Sequence, residues 1–468
     1  MQKPLTIVVF GATGDLFQRK LAGALFDLYA KKLFPTHTEI IGFSRKAYSR
    51  EAFRGLLGEW VLARKRDGEE EKVEEFLSHT FYHQGDLTSE ESYTSLGRFL
   101  EERDRSRGVC SDKLFYLAVP PNLYEVVFTR LARSGIAIPC APGLANEGAA
   151  WTRVLVEKPF GNNEKEAARL DQLLGSLFEE EQIFRIDHYL AKDTIQNILT
   201  FRFSNGLFEP LWSGKHIERV AIQMFEKEGV EQRGAFYDSV GALRDVGQNH
   251  ILQMLALVAM ENPGELTAES IRRARQAVLA KVSPGGRKQE SWITRGQYDG
   301  YRSERGVRED STTETYFKLK VHIKNSRWKN VPFYLESGKA LKESQVSISV
   351  FFKPAPCLCP EKHESAHQNV LTFSISPKEE ISILFWVKRP GFEFALEPKQ
   401  LSFSFEEGGL SRKIPNAYER VLFDCIHGDQ TLFASTGEVR AEWRFVTPIL
   451  EQWQKLSLHS YTKGGDGP

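Results

Sequence analysis

Hydrophobic residues follow two rhythms along the chain. In the first part, short continuous apolar runs alternate with stretches of helical spacing. Leu5 to Phe10 is a β-branched apolar run, the pattern of a strand buried on both faces. A turn, Gly11 to Gly14, follows, and Asp15 to Lys32 then carries Leu16, Leu21, Leu25 and Leu28 on one helical stripe. Glu39 to Phe43 predicts a second strand. Leu114 to Val119 predicts a later one, ended by Pro120-Pro121, which forces extended backbone. A helix from Asn122 to Ser134 and a strand from Thr152 to Val156 come next. Strands alternating with helices imply parallel pairing in a doubly wound α/β sheet. After Asp187 the rhythm changes. Val346 to Phe352, Val370 to Ile375 and Ile381 to Lys388 are strands with no helix between them, which predicts a larger α+β domain with a mostly antiparallel sheet. The boundary falls near residue 185. Arg64 to Glu75 is almost all charge and reads as a solvated helix. Pro139 to Ala150 reads as a surface loop, and the Gly-rich tail Tyr461 to Pro468 as disordered.

Composition narrows the possibilities. A chain of 468 residues is too long for one core, so two domains are expected. Lys+Arg and Asp+Glu both count 62, and a nucleic-acid partner would want a basic domain. A local basic pocket for a small phosphorylated ligand stays open. The apolar run Ile7 to Phe10 is too short for a signal peptide or a membrane span, and no later run is long enough. Cys110, Cys140, Cys357, Cys359 and Cys425 are odd in number and scattered, which suits a reducing cytoplasm better than a disulfide scaffold.

Four segments could carry chemistry. Gly11-Ala12-Thr13-Gly14-Asp15-Leu16 follows a strand and opens a helix, so backbone N–H groups and the helix dipole would meet a bound pyrophosphate. Gly11 permits the tight turn and Gly14 the close approach. The usual first glycine is missing and Phe17 replaces the last, and a strand–helix turn without a ligand looks the same. Gly42-Phe43-Ser44-Arg45-Lys46 ends the next strand. A site reading NAD places an acid here, and one reading NADP places a base near the 2′-phosphate. Arg45 and Lys46, with no acid beside them, favour NADP over NAD, and a solvated basic turn is the alternative. In Arg185 to Lys192, a helix beginning at His188 would put His188 and Lys192 on one face. With Tyr189 they suit a phosphate monoester dianion, while Asp187 faces elsewhere and could orient another residue. A surface helix start capped by Asp187 is the alternative. In Arg244 to His250, ahead of the apolar helix Ile251 to Met260, His250 has the residue type of a general base near neutral pH. A helix-start His bonded to a carbonyl is the alternative. Cys357, Cys359, His363 and His367 are possible zinc ligands by type. Their spacing is tighter than the common knuckle, and Pro354, Pro356 and Pro360 mark a plain loop, so no metal is assigned.

Taken in order, FGATGDLFQRKL, LFYLAVPPNLYEVV, WTRVLVEKPFG, FRIDHYLAKDTIQNIL, ALRDVGQNHILQMLALVAMENP, DSTTETYFKLKVHIKNSRWKNVPFYLESGKAL and NAYERVLFDCIHGDQTLF resemble the glucose-6-phosphate dehydrogenase family over nearly the whole chain. The resemblance implies a Rossmann-like dinucleotide-binding domain over residues 1–185. It implies an α+β substrate-binding and dimerisation domain over 186–468. The implied reaction is oxidation of D-glucose 6-phosphate at C1 to 6-phosphoglucono-1,5-lactone with hydride transfer to NADP, which opens the oxidative pentose phosphate pathway. A cytoplasmic homodimer or tetramer is implied, with neither nucleic acid nor membrane as partner.

The same resemblance assigns roles. His250 would be the general base on the C1 hydroxyl, and Asp187 would pair with it and hold its tautomer. His188, Tyr189 and Lys192 would hold the 6-phosphate. Glu226 and Asp245 would bind sugar hydroxyls, and Lys339 would reach the substrate. Lys158 would lie between substrate and cofactor, with Pro159 shaping its turn, and Lys20 near the substrate end of the first helix. Gly11, Ala12, Thr13, Gly14, Asp15, Leu16 and Arg45 would bind the cofactor. The chain departs from the family in four places. Phe17 stands where a small residue is common, Ala191 where Gly is, Asp193 where Glu is, and Ser376-Pro377 where Gln-Pro is. Two rival readings share the plan: a different sugar or polyol dehydrogenase, which would lack the phosphate-holding residues, and a dinucleotide-binding sensor that does not turn over.

Overall fold

A computed structural model describes residues 3–63, 69–138, 150–286, 288, 291–355, 367–404 and 415–468. The expected loop from Pro139 lies outside these residues up to 149, as do Cys140, Cys357, Cys359 and His363. The chain forms two compact units. One comprises Met1–Gly161, Lys165–Ala191 and Pro415–Thr436, and the other Asn162–Glu164, Lys192–Ile414 and Gly437–Pro468.

The first unit opens with β1 (Leu5–Phe10), α1 (Ala22–Ala30), β2 (Thr38–Ser44), α2 (Arg50–Leu62), α3 (Glu70–Ser78) and β3 (Thr80–Gln84). It continues with α4 (Glu90–Arg107), β4 (Asp112–Leu117), α5 (Tyr124–Arg133), β5 (Thr152–Val156), α6 (Glu164–Leu177) and β6 (Ile183–Ile186). Every residue of β1 is buried, as its unbroken apolar run requires. The predicted first helix runs continuously from Asp15 to Ala30, but Phe17–Leu21 winds as a π-helix. Phe17 is fully buried there, its ring 6.3 Å from Phe53 and 5.9 Å from Trp60, so the departure from a small residue is filled by an aromatic cluster. The charged stretch is helical from Glu70 onward and turns Val73 and Phe76 inward.

The second unit starts with α7 (Asp193–Phe203), β7 (Ile217–Phe225), α8 (Gly234–Ala242), α9 (Leu252–Ala259) and α10 (Ala268–Leu279). Then come β8 (Val282–Pro284), β9 (Ile293–Tyr298), β10 (Tyr316–Ile323), β11 (Phe333–Gly338), β12 (Gln345–Phe352), β13 (Val370–Ser376), β14 (Glu380–Lys388) and β15 (Leu396–Ser404). The chain returns to the first unit with α11 (Ala417–His427) and β16 (Phe433–Ala434). It ends in the second with α12 (Thr436–Gln452) and β17 (Leu458–Tyr461).

The sheet of the first unit has the order β16-β6-β5-β4-β1-β2-β3. All of its pairings are parallel except the short β16 beside β6. Strand order reverses between β1 and β4, which makes a doubly wound sheet with its ligand crevice at the carboxyl ends of those two strands. The sheet of the second unit runs β15-β14-β13-β12-β7-β11-β10-β9-β17. Among the described residues only β7 with β11 and β9 with β17 pair in parallel as strands.

Two expectations are corrected. The Gly-rich tail is not disordered: Tyr461 closes β17, Gly464 N–H donates to the Ala340 carbonyl at 2.7 Å, and Lys342 N–H donates to Gly465 at 2.9 Å. Paired backbone groups hold it where composition alone promised none. Cys110 is disulfide-bonded, where the odd and scattered cysteines argued against disulfides, while Cys425 is a buried free thiol. Among the described residues no helix is long and apolar enough to cross a membrane.

Candidate active site

In the first unit the site is built on the carboxyl ends of the parallel strands. Gly11 leaves β1 with φ +84°, and a Cβ on it would stand 2.3 Å from the Ala118 carbonyl oxygen. No other residue fits both the angle and the approach. Gly11 N–H donates to Phe43 at 2.9 Å, and Gly14 N–H closes the turn on Gly11 at 2.9 Å. The helix then starts at Asp15, so its N-terminus opens at the switch point. Ala12 is buried, and the Thr13 hydroxyl donates to Ser44 at 3.0 Å. Asp15 pairs with Arg19 at 2.6 Å, and Lys20 is exposed in the π turn. Arg45 is exposed just past β2. Sequence reading missed an acid near it: Asp86, held below the usual carboxylate range by hydrogen bonds from Thr88 and, to a smaller degree, by Arg45.

Lys158 follows β5 and precedes a cis Lys158–Pro159 peptide. Behind it the Glu157 carboxylate is buried and accepts the Tyr116 hydroxyl at 2.6 Å, while Tyr124 donates to the Glu157 carbonyl at 2.7 Å. Burial pushes the Glu157 carboxyl up to about 7, with the Tyr116 hydroxyl and Lys158 pulling the other way. Asp187 is 3% exposed, and its Oδ1 accepts Tyr189 N–H at 3.0 Å. Residues 188–191 form a turn, not the predicted helix, and the helix begins only at Asp193. The side-chain bond of Asp187 to the backbone two residues on competes with helix there, so the shared-face argument for His188 and Lys192 fails. The His188 ring instead lies 5.1 Å from that of Tyr189 and 6.3 Å from that of Tyr418, nearly parallel to the latter.

In the second unit, Lys192 is the residue just before α7. Its ammonium lies 3.8 Å from Glu379, whose other oxygen accepts Thr194 N–H at 3.0 Å and the Thr194 hydroxyl at 2.7 Å. Glu379 caps this helix from beyond the cis Ser376–Pro377 peptide. Glu226 follows β7 and Lys339 follows β11, its parallel neighbour, so the two strands deliver an ion pair between these side chains. Lys339 is buried, with its ammonium 5.2 Å from the centre of the Tyr237 ring. Tyr237 is itself buried, and its phenol is pushed well up by burial and then by the nearby carboxylates Asp245, Glu314 and Glu226. No motif read from the sequence points to Tyr237.

Asp245 and His250 lie on a π-helix, Leu243–Ile251, that runs directly into α9. His250 therefore sits inside a continuous helical run and not at a helix start. It is 1% exposed, and its backbone N–H donates to Asn249 Oδ1 at 2.7 Å. Glu226, Lys339, Tyr237 and Asp245 form one polar cluster in this unit. His367 is described but belongs to a bridge with Ala355, with its ring 4.4 Å from that of Trp386. Among the described residues no group of three or more His, Cys, Asp and Glu could hold a metal.

Comparison with known proteins agrees with this layout. Residues 8–197 match the family model described as glucose-6-phosphate dehydrogenase, NAD binding domain, and residues 199–468 match its C-terminal domain. The glucose-6-phosphate 1-dehydrogenase of Aggregatibacter actinomycetemcomitans is 40% identical over 99% of this chain and 94% of its own length. That of Chlamydia muridarum is 38% identical over 97% and 91%. A solved glucose-6-phosphate dehydrogenase in complex with its substrate superposes with a TM-score of 0.89 at 34% identity, covering 100% of this chain and 96% of the other. The corresponding enzyme of Mycobacterium avium gives 0.84 at 30% identity, covering 100% and 96%.

Proposed function

Because the chain belongs to the glucose-6-phosphate dehydrogenase family, we propose that it oxidises D-glucose 6-phosphate at C1 to 6-phosphoglucono-1,5-lactone, the first step of the oxidative pentose phosphate pathway, with NADP. The observation that carries the reading is the second unit's polar cluster: the buried Lys339 ammonium paired with the partly exposed Glu226 carboxylate over Tyr237, with Asp245 beside it. Buried charges are kept where they meet a partner or a polar ligand, and a sugar supplies hydroxyls to both carboxylates.

The first unit fits a nicotinamide dinucleotide, since the Gly11–Leu16 turn opens a helix N-terminus at the switch point and a pyrophosphate is favoured there. That cofactor supplies the hydride acceptor. His250 takes the proton of the C1 hydroxyl as the C–H bond at C1 is broken, and Asp187 holds the imidazole in the tautomer that can accept it. His188, Tyr189 and Lys192 bind the 6-phosphate, and Glu226, Asp245 and Lys339 the sugar. Lys20 binds the sugar, Lys158 acts between sugar and cofactor, and Arg45 reads the 2′-phosphate that distinguishes NADP. In this reading the dinucleotide-binding part ends near residue 185, and the protein is a cytoplasmic homo-oligomer.

Mixing purified protein with glucose 6-phosphate and NADP should raise the reduced-nicotinamide absorbance, while free glucose should serve poorly. Equal use of both sugars would sink the reading. His250→Asn should fold, bind substrate and lose about two to four powers of ten in kcat, as for a missing general base.

A further inference from the structure

The helical run from α8 to α9 changes its winding twice. It breaks at Gly241, where φ is 75° and ψ 167°, winds as a π-helix from Leu243 to Ile251, and returns to α-helix at Leu252. Asp245 and His250 both ride on the π segment. Such winding is rare, concentrated at functional sites, and needs outside support. A helix restarted after a break also leaves N–H groups without partners inside it.

One buried residue supplies both needs. The Glu314 carbonyl accepts Ala242 N–H at 3.1 Å, and its Oε1 accepts Leu243 N–H at 3.0 Å. Its Oε2 accepts the indole N–H of Trp453 at 2.6 Å. Glu314 is 2% exposed and Trp453 4%. Gly241 is tied to the same arrangement, since a Cβ there would stand 2.5 Å from Glu314 Oε1. The next residue, Thr315, accepts Lys339 N–H at 2.9 Å, so two consecutive residues fix the start of the π segment and the Lys339 turn. Further along, Gln248 and Gln253 donate to the two oxygens of buried Glu442 at 3.3 and 2.7 Å. The run therefore has a second anchor that does not depend on Glu314.

We propose that Glu314, held in place by Trp453, is a positioning residue for the reaction: its carboxylate caps the π-helical segment and sets where Asp245 and His250 stand. The inference rests on the roles given above to those two residues. It touches the chemistry only through them, so its loss should appear in kcat more than in substrate affinity.

The test uses the donor arithmetic of the cap. In Glu314→Gln, either orientation of the amide sets one N–H against another, at Leu243 or at Trp453. Trp453→Phe removes the indole donor, so the double variant can again offer an oxygen to Leu243 without conflict. Steady-state kinetics on glucose 6-phosphate should be run with thermal unfolding as the check of fold, and with His250→Asn in the same series. Glu314→Gln should lose about ten- to a hundredfold in kcat with KM changed less than about threefold, the scale of a small misplacement at a reacting centre. Trp453→Phe should lose less, and the double variant should recover most of the loss of Glu314→Gln. If Glu314→Gln does not fold, the kcat loss of Trp453→Phe decides alone. The inference is overturned if both single variants stay within about twofold of wild type in kcat, or if the double variant is worse than Glu314→Gln. An inactive His250→Asn beside unimpaired cap variants overturns this inference alone, whereas an active His250→Asn overturns the site reading beneath it.

Discussion

Lys192 stands just before a helix, and that place sets its chemistry. Its side chain is 40% exposed, and its ammonium lies 3.8 Å from Glu379, which also caps Thr194. A phosphate dianion arriving there finds a cation already held by a carboxylate. Removing one charge-assisted bond to phosphate costs about 1.5 to 3 kcal/mol, so Lys192→Ala should lower kcat/KM for glucose 6-phosphate by about 10- to 100-fold. Weak activity on free glucose should stay nearly unchanged in parallel assays, and an equal fall on both sugars would make Lys192 structural. Arg45 is exposed, with Asp86 close enough for their charges to interact. Arg45→Ala should raise KM for NADP by roughly tenfold or more and barely move that for NAD. Equal loss with both cofactors would remove Arg45 from 2′-phosphate recognition. Both basic residues were legible because their types and places are local. Glu379, 185 positions from the Thr194 it caps, was not, since no local pattern joins residues so far apart.

At the scale of elements, β15, nine residues long, is an end strand of its sheet among the described residues and carries exposed apolar side chains. Leu401 is 65% exposed and Phe403 54%, and these residues, two apart, point to one face. They lie opposite Ile383 and Ile381 of β14. A long edge with exposed apolar side chains invites pairing with another chain, and a second copy covering it is the homo-oligomer proposed above. Leu401→Glu combined with Phe403→Glu should halve the mass seen by light scattering while leaving the unfolding temperature of the subunit close to wild type. An unchanged mass would move the interface elsewhere. The strand carrying those side chains was not among those read from the sequence. Nor was its place at the edge, because strand order depends on pairings that the alternation of residues leaves open.

At the scale of the whole molecule, burial pushes up several carboxyls of the first unit: Asp27 to about 6, Asp424 to about 6, Glu157 to about 7, and Asp112 as well. Each titrates higher in the folded chain than in the unfolded one, so the folded state binds the extra protons. Stability then falls as pH rises through the window between the two values, and the deficit is complete above the folded value. For Glu157 the window runs from about 4.5 to about 7, and a shift of this size is worth on the order of 3 kcal/mol. Glu157→Gln keeps an oxygen for the Tyr116 hydroxyl and removes the titration. Its melting temperature should vary less than that of wild type between pH 5 and pH 7.5, about the span of that window. Parallel curves for the two proteins would show that Glu157 does not titrate there.

The sequence by itself determined the local chemistry of this protein. Apolar runs set the buried strands, Gly11 set the first turn, and the order of motifs set the family, because each depends on residues adjacent in the chain. It also placed Lys158, Asp187, Glu226, His250 and Lys339 among the candidates. Only the tertiary structure decided what surrounds them. It replaced the helix expected at His188 by a turn, because Asp187 bonds to backbone two residues on. It gave the tail a fixed place through hydrogen bonds to residues 340 and 342. It brought Tyr237 beneath Lys339, and Glu314 and Trp453 to the start of the segment bearing His250. Apart from the Asp187 bond, those contacts join residues far apart in the chain, which no local pattern encodes, and burial strengthens the ones made by Tyr237, Lys339, Glu314 and Trp453.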